Sequence, residues 1–284
     1  MVFPATPQVR PPAVAGLFYP ADPETLRLHV RALLEAPEAP PAPALPGPLK
    51  ALLVPHAGYV YSGHIAASAY RLLGPLSHTI TRVVLLGPTH RVPVRGLALP
   101  EGDAFATPLG TIPLDGPAMG ALADLPQVSR RGDVHREEHA LEVQLPFLQV
   151  QLGHFHLLPL AVGMASPEEV AQVLERLWGG PETLILISSD LSHYLTYGEA
   201  RERDSQTWAR IQAMTPDLRP EEACGALALD GLLLEARRHG LTPLSLDLRN
   251  SGDTAGDKHR VVGYGAMAFY APPSTTQGDA HGPA

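Results

Sequence analysis

The chain has 284 residues, 45% of them hydrophobic, and a formal net charge of -8. That is enough for one large α/β domain or two small ones, and an acidic balance without a Lys/Arg run argues against nucleic acid as a partner. The aliphatic runs fall far short of the ~20 residues of a membrane span, Met1–Ala21 has no leader pattern, and Cys224, the single cysteine, permits no internal disulfide, so a cytoplasmic setting without membrane association is expected.

In chain order, Pro11–Pro20 is an apolar, turn-rich opening. Asp22 stands as N-cap to a helix reaching about Leu34, with Glu24 in its first turn. The proline-rich stretch Ala36–Pro48 reads as an extended surface connection. Lys50–Val54 (KALLV) is a continuous aliphatic strand. A helix capped by Ser62 is predicted through Leu73, then a strand over Arg82–Leu86. Gly96–Leu114 reads as short strands and turns. Arg136–Gln151 carries leucines at helical spacing, with Pro146 expected to kink or end that helix. A strand follows at Phe155–Val162, a helix capped by Ser166 at Pro167–Trp178, and a strand at Thr183–Ile187. Glu199–Met214 and Pro220–His239 read as helices, with Gly240 just past the end of the second. Arg260–Tyr270 reads as a central strand and residues 272–284 as a disordered tail. The alternation predicts an α/β fold: a single three-layer domain over residues 1–271, with a central, largely parallel or mixed sheet flanked by helices.

Three of these aliphatic runs stop at a polar turn carrying a histidine. Lys50–Val54 leads to His56, Val83–Leu86 to His90, and Leu184–Ile187 to Asp190 and His193. In open α/β sheets, ligands bind outside the carboxyl ends of the strands. If the three strands are parallel neighbours, these four residues converge on one crevice, and three imidazoles with a carboxylate suit a divalent metal. Each histidine alone equally fits a loop residue capping a carbonyl; the recurrence is what points to a shared site. Asp190 could ligate, fix a ligand's tautomer, or cap the next helix.

Other groups are open to two readings. Ser188 or Ser189 with His193 and Asp190 would make a Ser-His-Asp set, but the Gly-x-Ser-x-Gly elbow is missing. Cys224 falls at the start of a predicted helix, where a thiolate is stabilised; a lone cysteine among alanines and leucines is also an ordinary core residue. His135-Arg136-Glu137-Glu138-His139 matches H-x-x-E-H, which on a helix would chelate zinc with Glu138 as general base. Alternatively His139, Glu142 and Gln144 face the crevice, or the segment is an exposed polar face. Tyr59, Tyr61 and His64 either line a pocket or pack the following helix. The Ser251–Asp257 loop, with Asp253, either closes the crevice or is an ordinary turn.

Taken together, PPAVAGLFYPAD (11–22), PHAGYVYSG (55–63), GPTH (87–90), EHALEVQLP (138–146), SSDLSH (188–193), Cys224-Gly225 and SGDTAGD (251–257) occur in an order that resembles the Memo family, known in prokaryotes as AmmeMemoRadiSam system protein B. The likeness covers about residues 8–271. It implies a fold similar to that of class III extradiol dioxygenases, which are non-haem iron enzymes. It also implies a metal, iron or copper, held at the positions of His56, His90 and Cys224; iron is the first expectation, with copper or zinc as alternatives. Asp190 and His193 would line the same pocket as catalytic groups, with Tyr59, His139, Glu142 and Asp253 around them. A His₂Cys set departs from the 2-His-1-carboxylate triad of such oxygenases. Ala226 departs too, standing where many relatives carry a basic residue.

The first expectation is an iron-dependent, dioxygenase-like oxidoreductase with a small-molecule substrate. Two others compete with it: a non-catalytic binding or adaptor module holding a peptide or protein in the old crevice, and a zinc hydrolase built on His135, Glu138 and His139. The resemblance links eukaryotic relatives to phosphotyrosine-peptide binding, and it implies radical SAM and AMMECR1-type partners.

Overall fold

A computed structural model of the chain describes residues 7–36 and 47–273. The first half runs β1 (Val9–Arg10), α1 (Pro23–Glu35), β2 (Leu49–Val54), α2 (Tyr59–Tyr70), β3 (Arg82–Pro88), β4 (Leu97–Leu99), β5 (Ala104–Thr107), β6 (Gly110–Pro113), α3 (Gly116–Gly120), β7 (Val128–Arg130) and α4 (Gly132–Arg136). The second runs α5 (Leu145–Leu152), β8 (His156–Val162), α6 (Pro167–Leu177), β9 (Thr183–Ser188), β10 (His193–Leu195), α7 (Tyr197–Gln212), α8 (Ala226–Arg238), β11 (Thr242–Asn250) and β12 (Val261–Tyr270).

The centre of the main sheet is the parallel set β2-β9-β3-β8. β2 and β9 are buried at every residue, and β3 at all but its first. This is why they read as unbroken aliphatic runs: helices cover both faces, so no position faces water. Each fully buried Leu, Ile or Val contributes about 1.5–3 kcal/mol relative to exposure. β12 pairs antiparallel with β2, β11 and β10, which makes the sheet mixed. A second sheet of three strands, β1-β5-β6, lies apart from it. The helices α1, α2 and α5 pack together; α6 and α8 pack on each other, with α8 also against β3 and β9. The expected mixed-sheet α/β architecture is therefore present.

Caps behave as the sequence suggests at α1 and α6. Asp22 accepts from Thr25 N at 2.8 Å, and Ser166 and Glu169 form a reciprocal capping box. Gly240 has φ +63° just past α8. Elsewhere the chain departs from expectation. α2 starts at Tyr59, preceded by Gly58 rather than Ser62, whose hydroxyl donates back to Ala57 O. The predicted helix over Arg136–Gln151 is broken. The Glu138 carboxylate takes the amides of His139 and Ala140, both at 3.0 Å, and so competes with the helical ladder. Pro146 then sits in the first turn of α5, where its missing N–H is harmless, rather than kinking a helix. α8 begins only at Ala226, not Pro220. β12 is an interior strand as expected, hydrogen-bonded to β2 on one side and to β10 and β11 on the other, though every pairing is antiparallel; the half-buried β11 was not anticipated. The expected tail lies outside the described residues apart from Pro272 and Pro273, as does most of the proline-rich stretch, residues 37–46.

Candidate metal centre

Parallel pairing in register, Val54 with Ser188 and Leu86 with Ile187, brings the carboxyl ends of β2, β9 and β3 together. The three polar turns consequently meet. His56, His90, His139, Asp190 and His193 all line one crevice of about 760 Å³. The ligand atoms of His56, His90 and Cys224 lie within 4.8 Å of one another, and His56 Nε2 is 3.3 Å from Cys224 Sγ.

The hydrogen-bond network decides which imidazole nitrogen is available. Ser188 Oγ donates its one proton to Ala140 O at 2.7 Å and accepts from Gln144 Nε2 at 2.8 Å. Its 2.8 Å contact with His56 Nδ1 can then only be a bond that the ring donates. His56 Nδ1 therefore carries the proton, and Nε2 presents a lone pair toward Cys224. Burial, helped by the neighbouring His90, pushes His56 down to about 3, so the ring is neutral. Glu138 does for His90 what Ser188 does for His56. Its Oε1 lies 2.9 Å from His90 Nδ1, and its Oε2 accepts the His90 amide at 2.5 Å. Burial alone would raise the Glu138 carboxyl, but the bonds from His90 outweigh it and hold Glu138 at about 2. As a carboxylate it can only accept, so His90 also protonates Nδ1 and frees Nε2. A carboxylate behind a ligating histidine is a recurrent metal-site arrangement.

Cys224 is placed by the residues around Asp190. Its amide donates to Asp190 O at 3.2 Å, its Sγ receives the Asp190 amide at 3.3 Å, and the next amide, Gly225 N, donates to Ser189 Oγ at 2.8 Å. The thiolate expected from a helix start is not what the surroundings favour. Burial and the nearby Asp190 push the thiol up to about 12. A metal cation is the group that reverses this, because a coordinating thiol is deprotonated. The donor set therefore fits a metal. His90, Glu138 and His139 also cluster closely enough to hold one. Glu138 is already saturated by three backbone amides and the His90 ring, which makes it a positioning group.

Asp190 is buried, and its Oδ1 accepts the His56 amide at 2.7 Å. It thus shapes the His56 turn and caps no helix. Burial raises its carboxyl. His193 opens β10 and lines the crevice beside Asp190. His139 stacks on His90 at 4.6 Å, and burial pushes it down to about 4.

Three residues expected around the pocket lie elsewhere. Tyr59 is a core residue whose hydroxyl donates to Val143 O, and Tyr61, two residues on, lines the crevice instead. Glu142 is fully buried and binds Arg10 and Tyr19, each at 2.6 Å, together with the amides of Ala13 and Val14. It ties down the N-terminal segment; an acid with a basic partner over a hundred residues away gives no local signal. Asp253 takes Tyr197 OH and Asn250 N, and Asp257 is the loop acid at the crevice. The H-x-x-E-H zinc reading also fails. The helix ends between its two histidines, and His135 Nε2 donates to Ala98 O in the core. Ser188 is sealed in its network and is no exposed nucleophile. Glu138 as the group orienting His90, and Phe18, Tyr194 and Arg260 on the crevice wall, are not among the sequence candidates for these roles. Arg260 stands immediately before the last strand, the one signal that could have flagged it.

A mixed sheet whose parallel central strands end at a His₂Cys cluster defines a candidate metalloprotein. The Memo-like protein family model matches residues 10–268. A MEMO1 family protein of Aquifex aeolicus is 36% identical over 92% of this chain and 99% of its own length. Similar proteins of Sulfolobus acidocaldarius, 33% identical over 92% and 99%, and Methanosarcina barkeri, 35% over 91% and 99%, carry the same family name. The chain belongs to the Memo-like family. Among solved structures, uncharacterized protein JW3007 from Escherichia coli K12 aligns with a TM-score of 0.46 at 12% identity, over 78% of this chain and 99% of that one; a likeness at that level adds nothing to the assignment. No helix among the described residues is long and apolar enough to cross a membrane.

Proposed function

We propose that the chain is a metal-dependent oxidoreductase acting on a small molecule in the His56–His193 crevice, with iron as the first candidate metal and copper or zinc as alternatives. The observation that carries this reading is the pair of enforced tautomers. Ser188 and Glu138 each hold an Nδ1–H, so His56 and His90 both offer Nε2 beside the Cys224 sulfur. Preorganised donors of this kind are what a resident metal needs. When bound, iron or copper would supply one-electron chemistry and a Lewis-acid centre. Asp190 holds the His56 turn in place. His193 lines the crevice and is only partly buried, as a general acid/base must be to reach substrate. His139 completes the wall against His90.

The test is metal content after anaerobic purification, wild type beside Cys224→Ser and His56→Ala. About one equivalent of iron per chain is expected in the wild type, with loss from both variants at unchanged far-UV circular dichroism. Full metal retention in Cys224→Ser would overturn the ligand set. A His193→Ala variant that keeps its metal should lose turnover, and unchanged turnover in a screen of oxygen uptake would remove His193 from the acid/base role.

A further inference from the structure

Tyr194 and Arg260 stand together on the crevice wall in an arrangement the metal chemistry does not use. Tyr194 follows His193, has φ +61° and is 64% exposed. A left-handed conformation is strained for a bulky residue. The pairing of β10 with β12 shifts register between His193 and Leu195, so Tyr194 sits at an irregularity of the kind that re-aims a side chain near active sites. The ring it presents lies 4.9 Å from the Arg260 guanidinium carbon. Among the described residues, that ring is the only partner of the Arg260 side chain; its amide donates to Asp257 Oδ1. Arg260 is also the one guanidinium in the crevice lining, a group that stays charged at any physiological pH. Phe18, Tyr61 and Tyr264 supply further aromatic wall.

We infer that the crevice takes a flat organic carboxylate, with Arg260 gripping the carboxylate and Tyr194 packing on the guanidinium and ring. A guanidinium stacked on an aromatic face keeps its edge N–H donors free for bidentate binding of a planar oxyanion. A single guanidinium beside the Asp257 carboxylate suits a monoanion; phosphate dianions are held by clusters of cations. A chain of net charge -8 repels anions at long range, so a local, permanently charged donor is what such a ligand requires. The crevice volume of about 760 Å³ accommodates a substituted ring. The inference deepens the proposed small-molecule reading but does not depend on which metal is present.

The experiment is calorimetric titration of the purified full-length protein, with its metal content measured in parallel. The probes are benzoate, its neutral isostere benzamide, and phenyl phosphate. Benzoate is expected to bind at least about tenfold more tightly than benzamide, a charge-assisted bond's worth. Arg260→Gln should abolish that preference at unchanged metal content, while Arg260→Lys should keep part of it. Tyr194→Gly should raise the melting temperature by relieving the left-handed strain, and yet weaken benzoate. Equal binding of benzoate and benzamide, no saturable benzoate binding, a preference surviving in Arg260→Gln, or tighter binding of phenyl phosphate would each overturn the inference. Loss of metal with the benzoate preference intact would refute the metalloenzyme reading and leave this one standing.

Discussion

At the scale of residues, the centre is governed by who holds the second nitrogen of each histidine. Glu138 is the informative case. In the sequence it stands as the acid of a zinc-peptidase pattern and the first residue of the EHALEVQLP segment, yet the structure turns it toward His90 of another loop. Glu138→Gln keeps the size of the side chain but removes the charge that fixes the His90 tautomer. Metal affinity should fall about 10- to 100-fold, the usual range for such partners. Competition with a chelator would measure it, and wild-type affinity would mean that His90 orients itself. The candidate ligand histidines are legible in the sequence because they follow hydrophobic runs. Their partners are not, because a hydrogen bond between loops 48 residues apart leaves no periodicity behind.

At the scale of elements, the approach of α8 to the end of β9 sets the position of Cys224. A Cβ added to Gly225 would lie 2.7 Å from Ser189 Cβ and 2.8 Å from Ser188 O. Gly225→Ala must therefore push the start of α8, with Cys224, away from His56. A destabilisation of about 1–3 kcal/mol is expected from overpacking, together with reduced metal occupancy. Unchanged melting temperature and full occupancy would show that the contact yields freely. The parallel strands were read correctly because full burial imposes an aliphatic run that needs no tertiary information. The helix over Arg136–Gln151 was misread because leucine spacing reports a buried face, while Glu138 captured the amides that a continuous helix requires.

At the scale of the whole molecule, buried neutral imidazoles make stability depend on pH. His135 is the clearest, since it lies in the core away from the candidate ligands and its Nε2 donates to Ala98 O. Burial pushes it down to about 4, from an ordinary value of 6.5. Below pH 6.5 the unfolded chain binds a proton that the native state refuses, so stability falls as pH drops from 6.5 toward 4 and is unaffected above that window. The shift corresponds to roughly 3 kcal/mol at full development. His135→Gln retains a donor for Ala98 O and should flatten that acid limb in melting curves taken across the window. An equally steep limb in the variant would assign it to other groups.

The sequence by itself determined the class of fold, the central strands and the histidines at their ends, because burial on both faces and the turn that follows a strand are local requirements. Only tertiary structure decided what those turns do. The strand order β2-β9-β3 selects which loops meet, and with it the His56–Cys224 contact across 168 residues and the Glu138–His90 pair, while the pairing of β10 with β12 sets Tyr194 beside Arg260. The same long-range pairing sent Glu142 to Arg10 and Asp253 to Tyr197, away from the crevice that their neighbours in sequence form. A residue's chemistry is written in the chain, but its partner is chosen by strand pairing and packing, which couple positions far apart.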